Sequence, residues 1–266
     1  MNPIFLSHVL SLALLACPTL PVPTQQPGDD EIVRNFVSTR GTEVITSGRR
    51  RQKPKPGPAG PIGFGYTLFK QNAHGEWVRV NPSQELRSGD KVRFVIESNT
   101  AGYLYLFHQA DDAPPKMLYP DARLKRGDNR IGAHVQYEVP SGQEPGDWGF
   151  NFVGPAATER FYLVVARRPL PEVWTGEGLV AYCQQYPQYC PWRPADSTWK
   201  QLLAQANTAA RESRSRTFGE VQTEIERQAI RREVKLQPSD SAPSVIKVTA
   251  SPAAKMLMTT VELVHK

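Results

Sequence analysis

Short runs of alternating hydrophobic and polar positions, separated by turn residues, fill the sequence from Phe64 to Arg168. Alternation with a period of two is typical of β-strands that bury one face. Turn signals such as "NAHG", "SGD" and "RGDN" recur roughly every 8 to 12 residues, a spacing typical of sandwiches and barrels. Because no regular succession of strands and amphipathic helices appears, the pattern predicts a mainly β, antiparallel, immunoglobulin-like β-sandwich.

One predicted strand, "GYLYLFHQ", is hydrophobic on both faces. Tyr103, Tyr105 and Phe107 lie on one face, and Leu104 and Leu106 lie on the other. An exposed row of aromatic rings could stack on a ligand. Strands that are apolar on both faces are usually buried on both, so the pattern favours a central strand with a covered aromatic face.

Helical patterns follow residue 195. A first helix is predicted to begin at Asp196 and to run through "STWKQLLAQANTAARES". Thr217 and Glu220 match a capping box, which predicts a second helix. The helical hairpin offers an apolar stripe that can cover the aromatic face of the central strand; the first helix presents Trp199, Leu202, Leu203 and Ala206, and the second Phe218, Val221 and Ile225.

The chain ends in "SVIKVTA" and "AKMLMTTVELVHK", which predict two strands that complete the sheets. In the last of them Val261, Leu263 and His265 alternate with Glu262 and Val264. We therefore expect one β-sandwich domain over residues 63–266. A disulfide loop and the helical hairpin are inserted into it at about residues 172–243.

The first 16 residues carry no charged side chain, and their apolar run is too short to cross a bilayer comfortably, which takes about 20 residues. This segment is typical of a secretory signal peptide. "LLAC" resembles a bacterial lipobox, in which Cys17 would be lipidated; lipidation and simple signal removal both stay open, and a multiply acylated end would tether the protein to a membrane. Residues 17–62 are rich in Pro and in part basic, which predicts a linker.

The sequence contains three cysteines, and the two beyond Cys17 are Cys183 and Cys190. A closely spaced pair in an exported chain indicates a disulfide, and the spacing fits neither a redox CxxC motif nor a four-ligand zinc site. The expected location is the periplasm, the outer membrane or the cell surface of a bacterium.

The formal net charge is +6 at pH 7, and the basic residues concentrate in the linker and in the helical stretches after Arg211. Charge of this kind usually marks a solvated surface. In the cell envelope it is better suited to anionic lipid or glycan than to nucleic acid, so no nucleic-acid partner is expected.

The order of several motifs resembles a bacterial domain-of-unknown-function family, the one numbered 4384. The motifs are "LRSGDKVRFVIESNTAGYLYLFHQ", "MLYPD", "GDNRIGAHVQYEVP" and "GPAATERFYLVVARRPLP". The resemblance covers about residues 63–171 and the last strand near residues 261–266. It implies a compact β domain found in exported proteins or beside caspase-like peptidases and protein kinases, and hence an accessory role. It implies no catalytic residues.

No GxSxG, HExxH, P-loop or GxGxxG motif occurs in the sequence, so no enzyme, cofactor or resident metal is expected. His108, Asp111 and Asp112 could bind a metal, but a loop whose Asp side chains hydrogen-bond the backbone is favoured. Glu138 and Glu159 could act as an acid/base pair. Ion pairs with arginines such as Arg93 or Arg160 are the favoured interpretation of these two carboxylates.

The loop "YCQQYPQYCPW" is rich in Pro and Gln, which favours exposure of its rings. Its aromatic residues form the candidate binding surface: Tyr182, Tyr186, Tyr189 and Trp192. The primary hypothesis is an exported, envelope-associated accessory module that interacts with another envelope protein and is not an enzyme. The alternative is a module that binds glycan or peptidoglycan through these aromatic residues.

Overall fold

The computed structural model of the protein describes residues 27–41, 60–141, 148–206, 209–232 and 234–266. The predicted signal peptide, Cys17 and most of the predicted linker lie outside the described residues. Across the described ranges, no helix combines the length and the apolar character that crossing a membrane requires.

The described residues contain four α-helices and twelve β-strands. The helices are α1 Pro27–Ser38, α2 Gly176–Gln185, α3 Asp196–Gln205 and α4 Glu224–Arg232. The strands are β1 Gly63–Gln71, β2 Trp77–Arg79, β3 Lys91–Ser98, β4 Gly102–Ala110, β5 Lys116–Tyr119, β6 Arg130–Ile131, β7 Gln136–Val139, β8 Phe150–Asn151, β9 Ala157–Ala166, β10 Ala210–Arg214, β11 Val245–Thr249 and β12 Met256–His265.

The strands form two antiparallel sheets. Sheet A has the order β10-β11-β1-β3-β7, with β2 beside β1 and β8 beside β3; sheet B has the order β12-β9-β4-β5, with β6 beside β4. In immunoglobulin notation, β1-β3-β7 corresponds to A-B-E and β12-β9-β4-β5 to G-F-C-C′. The predicted β-sandwich is confirmed. Strands β10 and β11 extend sheet A beyond β1.

The first core lies between the two sheets and is built from alternate residues of their strands. In β3, Val92, Phe94 and Ile96 face inward and are fully buried. The ring of Phe94 packs against Phe161 of β9, with 5.3 Å between the ring centroids. The period of two in the sequence therefore fixes which residues join the sheets.

A second core covers the outer face of sheet B. Tyr105 and Phe107 of β4 are fully buried there, whereas Tyr103 at the end of the strand is half-buried. The prediction that the aromatic face of the central strand is covered is confirmed for Tyr105 and Phe107. The covering residues come from the insertion after β9; they are Leu170, Val173, Leu179, Trp192, Trp199 and Leu202.

The predicted helical hairpin is wrong. The first helix ends at Gln205, and residues 210–213, predicted to be its end, belong to β10 instead. The second helix begins at Glu224 rather than near Thr217. Backbone pairing of Arg211 with Val248 in β11 outweighs the modest helix propensity of the segment. Helix α2, which was not predicted, contributes Leu179 to the residues that cover sheet B.

The second helical segment also contributes little to the predicted apolar stripe. Val221 is exposed and forms an isolated antiparallel bridge with Val78 of β2. Leu203 of α3 is exposed as well, so only Trp199 and Leu202 of that helix face the second core.

Part of the predicted linker is folded against the sandwich. Helix α1 ends at Ser38, and a 3-10 turn continues through Gly41. The helix lies beside β10 and β11 of sheet A, and Phe36 and Arg40 are buried.

Candidate functional site

Four aromatic side chains lie side by side along α2 and the turn that follows it. Trp174 stacks on Tyr182 with 5.7 Å between ring centroids, Tyr182 lies 5.4 Å from Tyr186, and Tyr186 lies 6.4 Å from Tyr189. We call Trp174, Tyr182, Tyr186 and Tyr189 the aromatic row. Positions 178 and 182 lie one turn apart on the same side of α2, and Trp174 and Tyr186 flank the two ends of the helix.

The aromatic row is accessible to a ligand. The exposed fractions are 46% for Trp174, 38% for Tyr186 and 59% for Tyr189, and Tyr182 between them is half-buried. Exposed large aromatic residues that are contiguous often mark a binding surface, whereas single ones do not. The row is therefore the best candidate site among the described residues.

The backbone under the aromatic row is constrained. The disulfide between Cys183 and Cys190, with 5.7 Å between their Cα atoms, closes the loop that carries Tyr186 and Tyr189. A Cβ atom at position 178 would lie only 3.1 Å from the indole of Trp174, so Gly178 allows this ring to lie close against α2. Because the rings are held in place before a ligand arrives, binding needs little further ordering.

Trp192 does not belong to the candidate binding surface, which corrects the sequence-based prediction. It is only 7% exposed and packs in the second core. Its carbonyl oxygen accepts a hydrogen bond from Met117 N at 2.8 Å, which ties this segment to β5. Trp174, which was not predicted, lies just before α2 and takes its place.

A polar cleft of about 410 Å³ adjoins the Trp174 end of the aromatic row. The ion pairs Arg126–Glu177, at 2.6 Å, and Arg130–Asp128, at 2.8 Å, lie at its lining. Hydrogen bonding to Arg130 lowers the pKa of Asp128, so this carboxylate is charged at neutral pH. The cleft is lined by Tyr103, Lys125, Arg126, Asp128, Asn129, Arg130, Thr175, Gly176 and Glu177.

The predicted metal candidates are not assembled around a common point. His108 Nε2 lies 2.5 Å from Glu159 Oε2, and the Asp111 carboxylate accepts a hydrogen bond from Thr158 N at 2.8 Å. Asp112 is exposed. Across the described part of the chain, no three His, Cys, Asp or Glu side chains are grouped to hold a metal ion. The favoured interpretation, an Asp side chain bonded to backbone, holds for Asp111 and involves a neighbouring strand.

His108, near the end of β4, predicts that the stability of the protein depends on pH. Burial lowers the pKa of His108, although its hydrogen bond to Glu159 opposes the shift. The unfolded chain takes up the proton near the ordinary value of about 6.5, and the folded protein only at lower pH. The unfolded state therefore binds more protons in this window, and stability falls as pH drops below about 6.5, by at most about 1.4 kcal/mol per pH unit.

We expect urea unfolding between about pH 7.5 and pH 5.5 to show a steeper loss of stability in the wild type than in His108→Gln. His74→Gln changes an exposed histidine in the β1–β2 turn and serves as the control, which should follow the wild type. Equal pH dependence in the wild type and in His108→Gln would contradict the assignment.

The two candidate acid/base carboxylates lie in different sheets and have separate partners. Glu138 of β7 pairs with Arg93, as predicted, and burial raises the pKa of Glu138 in spite of this partner. Glu159 of β9 pairs with His108 rather than with an arginine, and Arg160 bonds Glu262 at 3.1 Å. The structure does not bring Glu138 and Glu159 together as a pair.

Fold and site together define an immunoglobulin-like β-sandwich that displays an aromatic row on an inserted helix. Residues 85–169 match a protein family described as Domain of unknown function (DUF4384), so the predicted resemblance is confirmed. The match runs from just before β3 to just after β9, and the aromatic row lies beyond it. No curated protein and no solved structure matches the chain at a significant level.

Proposed function

We propose that the protein is an exported, envelope-associated accessory module that binds another envelope protein through the aromatic row and is not an enzyme. The observation that carries this proposal is the group of four neighbouring rings, Trp174, Tyr182, Tyr186 and Tyr189, of which the last two lie in the loop closed by the disulfide. Trp and Tyr supply much of the binding energy at protein interfaces, especially where the side chains are preorganised.

Export is supported by the chemistry of the same segment. The bond between Cys183 and Cys190 is of a kind that forms and persists in oxidising compartments. The predicted signal peptide agrees with this, and a lipid on Cys17 would tether the module to a membrane.

Glycan or peptidoglycan is the second candidate ligand. The cleft favours it, because Thr175, Gly176 and Glu177, which follow Trp174 in the chain, line it together with charged and polar groups. A sugar chain could place its apolar faces on the Tyr and Trp rings and its hydroxyl groups in the cleft.

The first test is co-purification from the native envelope, followed by affinity measurement with the purified partner. We expect Trp174→Ala to weaken binding by about 30-fold, the loss typical of an interface hot spot. The thermal midpoint should change little, because nearly half of the Trp174 side chain is exposed. Val153→Ala, at an exposed apolar residue outside the row, is the matched control and should bind like the wild type.

The same variants distinguish the two ligand classes. A second outcome is that the protein binds purified peptidoglycan or arrayed glycans and loses this binding in Trp174→Ala, while no protein partner depends on the aromatic row. That result would identify the ligand as a glycan and not as a protein. Undiminished binding to every ligand in Trp174→Ala would contradict the site itself.

A further inference from the structure

The guanidinium group of Arg40 is bound by the Glu97 carboxylate and by three backbone carbonyl groups of the sandwich, which together we call the socket. Its Nε and Nη2 donate to the two carboxylate oxygens of Glu97 at 2.9 and 2.7 Å. The other donors reach the carbonyl oxygens of Gln237, Asp240 and Ser241 at 3.4, 2.6 and 3.0 Å. These are five hydrogen bonds for the five N–H groups of a guanidinium, so every donor has an acceptor.

Two more residues of the segment 27–41, Phe36 and Thr39, contact His134, which is bonded to Glu97 of the socket. His134 Nδ1 donates to Glu97 Oε1 at 2.8 Å, and His134 Nε2 lies 2.9 Å from Thr39 Oγ1. The ring of Phe36 packs edge-on against the His134 ring, with 5.6 Å between centroids. Phe36, Thr39 and Arg40 thus meet one buried Glu97–His134 pair.

The segment is attached to the sandwich by these side chains and not by a sheet. Helix α1 is part of neither sheet, and residues 42–59 separate it from the start of the described sandwich. An isolated helix of about 12 residues is marginal in water. The helix should therefore form when it docks and unfold when it leaves.

Arg40 can leave the socket without leaving the Glu97 carboxylate buried and without a hydrogen-bond partner. Its three carbonyl groups belong to a turn at the surface, where Gln237 and Ser241 are exposed. When Arg40 leaves, water can bond the three carbonyl groups at the surface, and the Glu97 carboxylate keeps its hydrogen bond from His134 Nδ1 at 2.8 Å. This remaining partner reduces the penalty for leaving the carboxylate buried.

We propose that this face of the sandwich is a recognition site for a short helix and the turn after it, in which an aromatic residue of the helix stands four positions before an arginine of the turn. Residues 27–41 occupy this site reversibly. The occupant is the protein's own N-terminal segment, bound as a ligand would be. This site is separate from the aromatic row and does not depend on the function proposed for the row.

The first experiment separates the segment from the sandwich covalently. A specific protease site is inserted between residues 42 and 59 of the otherwise full chain, the chain is cut, and the products are run on a size-exclusion column. We expect the fragment carrying residues 27–41 to co-elute with the sandwich. Arg40→Ala should release it, and Arg40→Lys should retain it less well, because an ammonium has three donors rather than five. Asn35→Ala, an exposed position of the same helix, is the control and should behave like the wild type.

A second measurement guards against a variant that fails to fold. In the uncut chain, hydrogen exchange of residues 31–40 should rise at least about tenfold in Arg40→Ala while β3 and β9 keep their protection. Separation of the fragment from the wild-type sandwich, or retention of the Arg40→Ala fragment, would overturn the proposal. A parallel rise of exchange in α1, β3 and β9 would also overturn it, since α1 would then be an integral part of the fold.

Discussion

Tyr105→Ala lowers the free energy of unfolding by about 3 to 5 kcal/mol, the cost of emptying an aromatic site in a core. The ring is fully buried in the second core and stacks on Phe107, with 6.4 Å between centroids. Its hydroxyl oxygen accepts a hydrogen bond from Leu170 N at 3.0 Å, at the point where the insertion leaves sheet B. The substitution therefore removes apolar packing and a link between the sheet and its cover.

Urea unfolding followed by tryptophan fluorescence measures this loss. Tyr105→Phe is the matched control, because it keeps the ring and removes only the hydroxyl group that bonds Leu170 N–H and Asn129. That change should cost about 1 to 3 kcal/mol. A loss below about 1 kcal/mol in Tyr105→Ala would mean that the insertion does not cover this face of β4.

Glu226→Ala is expected to cost about 3 to 5 kcal/mol, because it leaves a buried arginine without its carboxylate. Glu226 pairs with Arg79 of β2, and both side chains are buried. The same carboxylate accepts hydrogen bonds from Thr223 N and Thr223 Oγ1 at 2.8 and 2.9 Å, which caps α4. One residue thus starts the helix and fixes it to sheet A.

Chemical denaturation of three variants isolates the role of Glu226. Glu224→Ala removes an exposed carboxylate from the same helical turn, which bonds exposed Arg227 and Gln228, and should change stability by less than about 1 kcal/mol. Glu226→Gln keeps an acceptor for the cap and should fall between the two. Equal losses in Glu224→Ala and Glu226→Ala would rule out the buried pair as the cause.

The capping box shows where local patterns stop being sufficient. Thr217 with Glu220 and Thr223 with Glu226 have the same spacing, but only the second pair caps a helix. The first pair lies in a segment that bonds β2: Arg79 N donates to the Glu220 carbonyl, and Gly219 N donates to the Arg79 carbonyl. Gly219 has a φ of 93°, outside the helical region. Pairing with a distant strand decides between two equal local signals.

The strands were more predictable than the loops. The two-sided hydrophobicity of β4 predicted that Tyr105 and Phe107 are covered, since both periodicities are visible within one strand. The burial of Trp192 depends on its bond to β5, more than 70 residues away in the sequence, and Pro-rich composition suggested the opposite. Residues 27–41 were assigned to the linker because of the composition around them, and their docking through Arg40 on Glu97 was not predicted.

The pairing of β9 with β12 affects the folding rate of the protein. These strands share ten paired positions, from Ala157 with His265 to Ala166 with Met256, and residues 167–255 lie between them. Closing a longer loop adds only about 0.6 kcal/mol for each doubling of its length, so the insertion hardly burdens the folded state. Contacts this distant in sequence slow folding much more strongly than they reduce stability. Until β12 arrives, the edge of β9 is open to pairing with other chains, which makes this the stage at which the protein is most prone to aggregate.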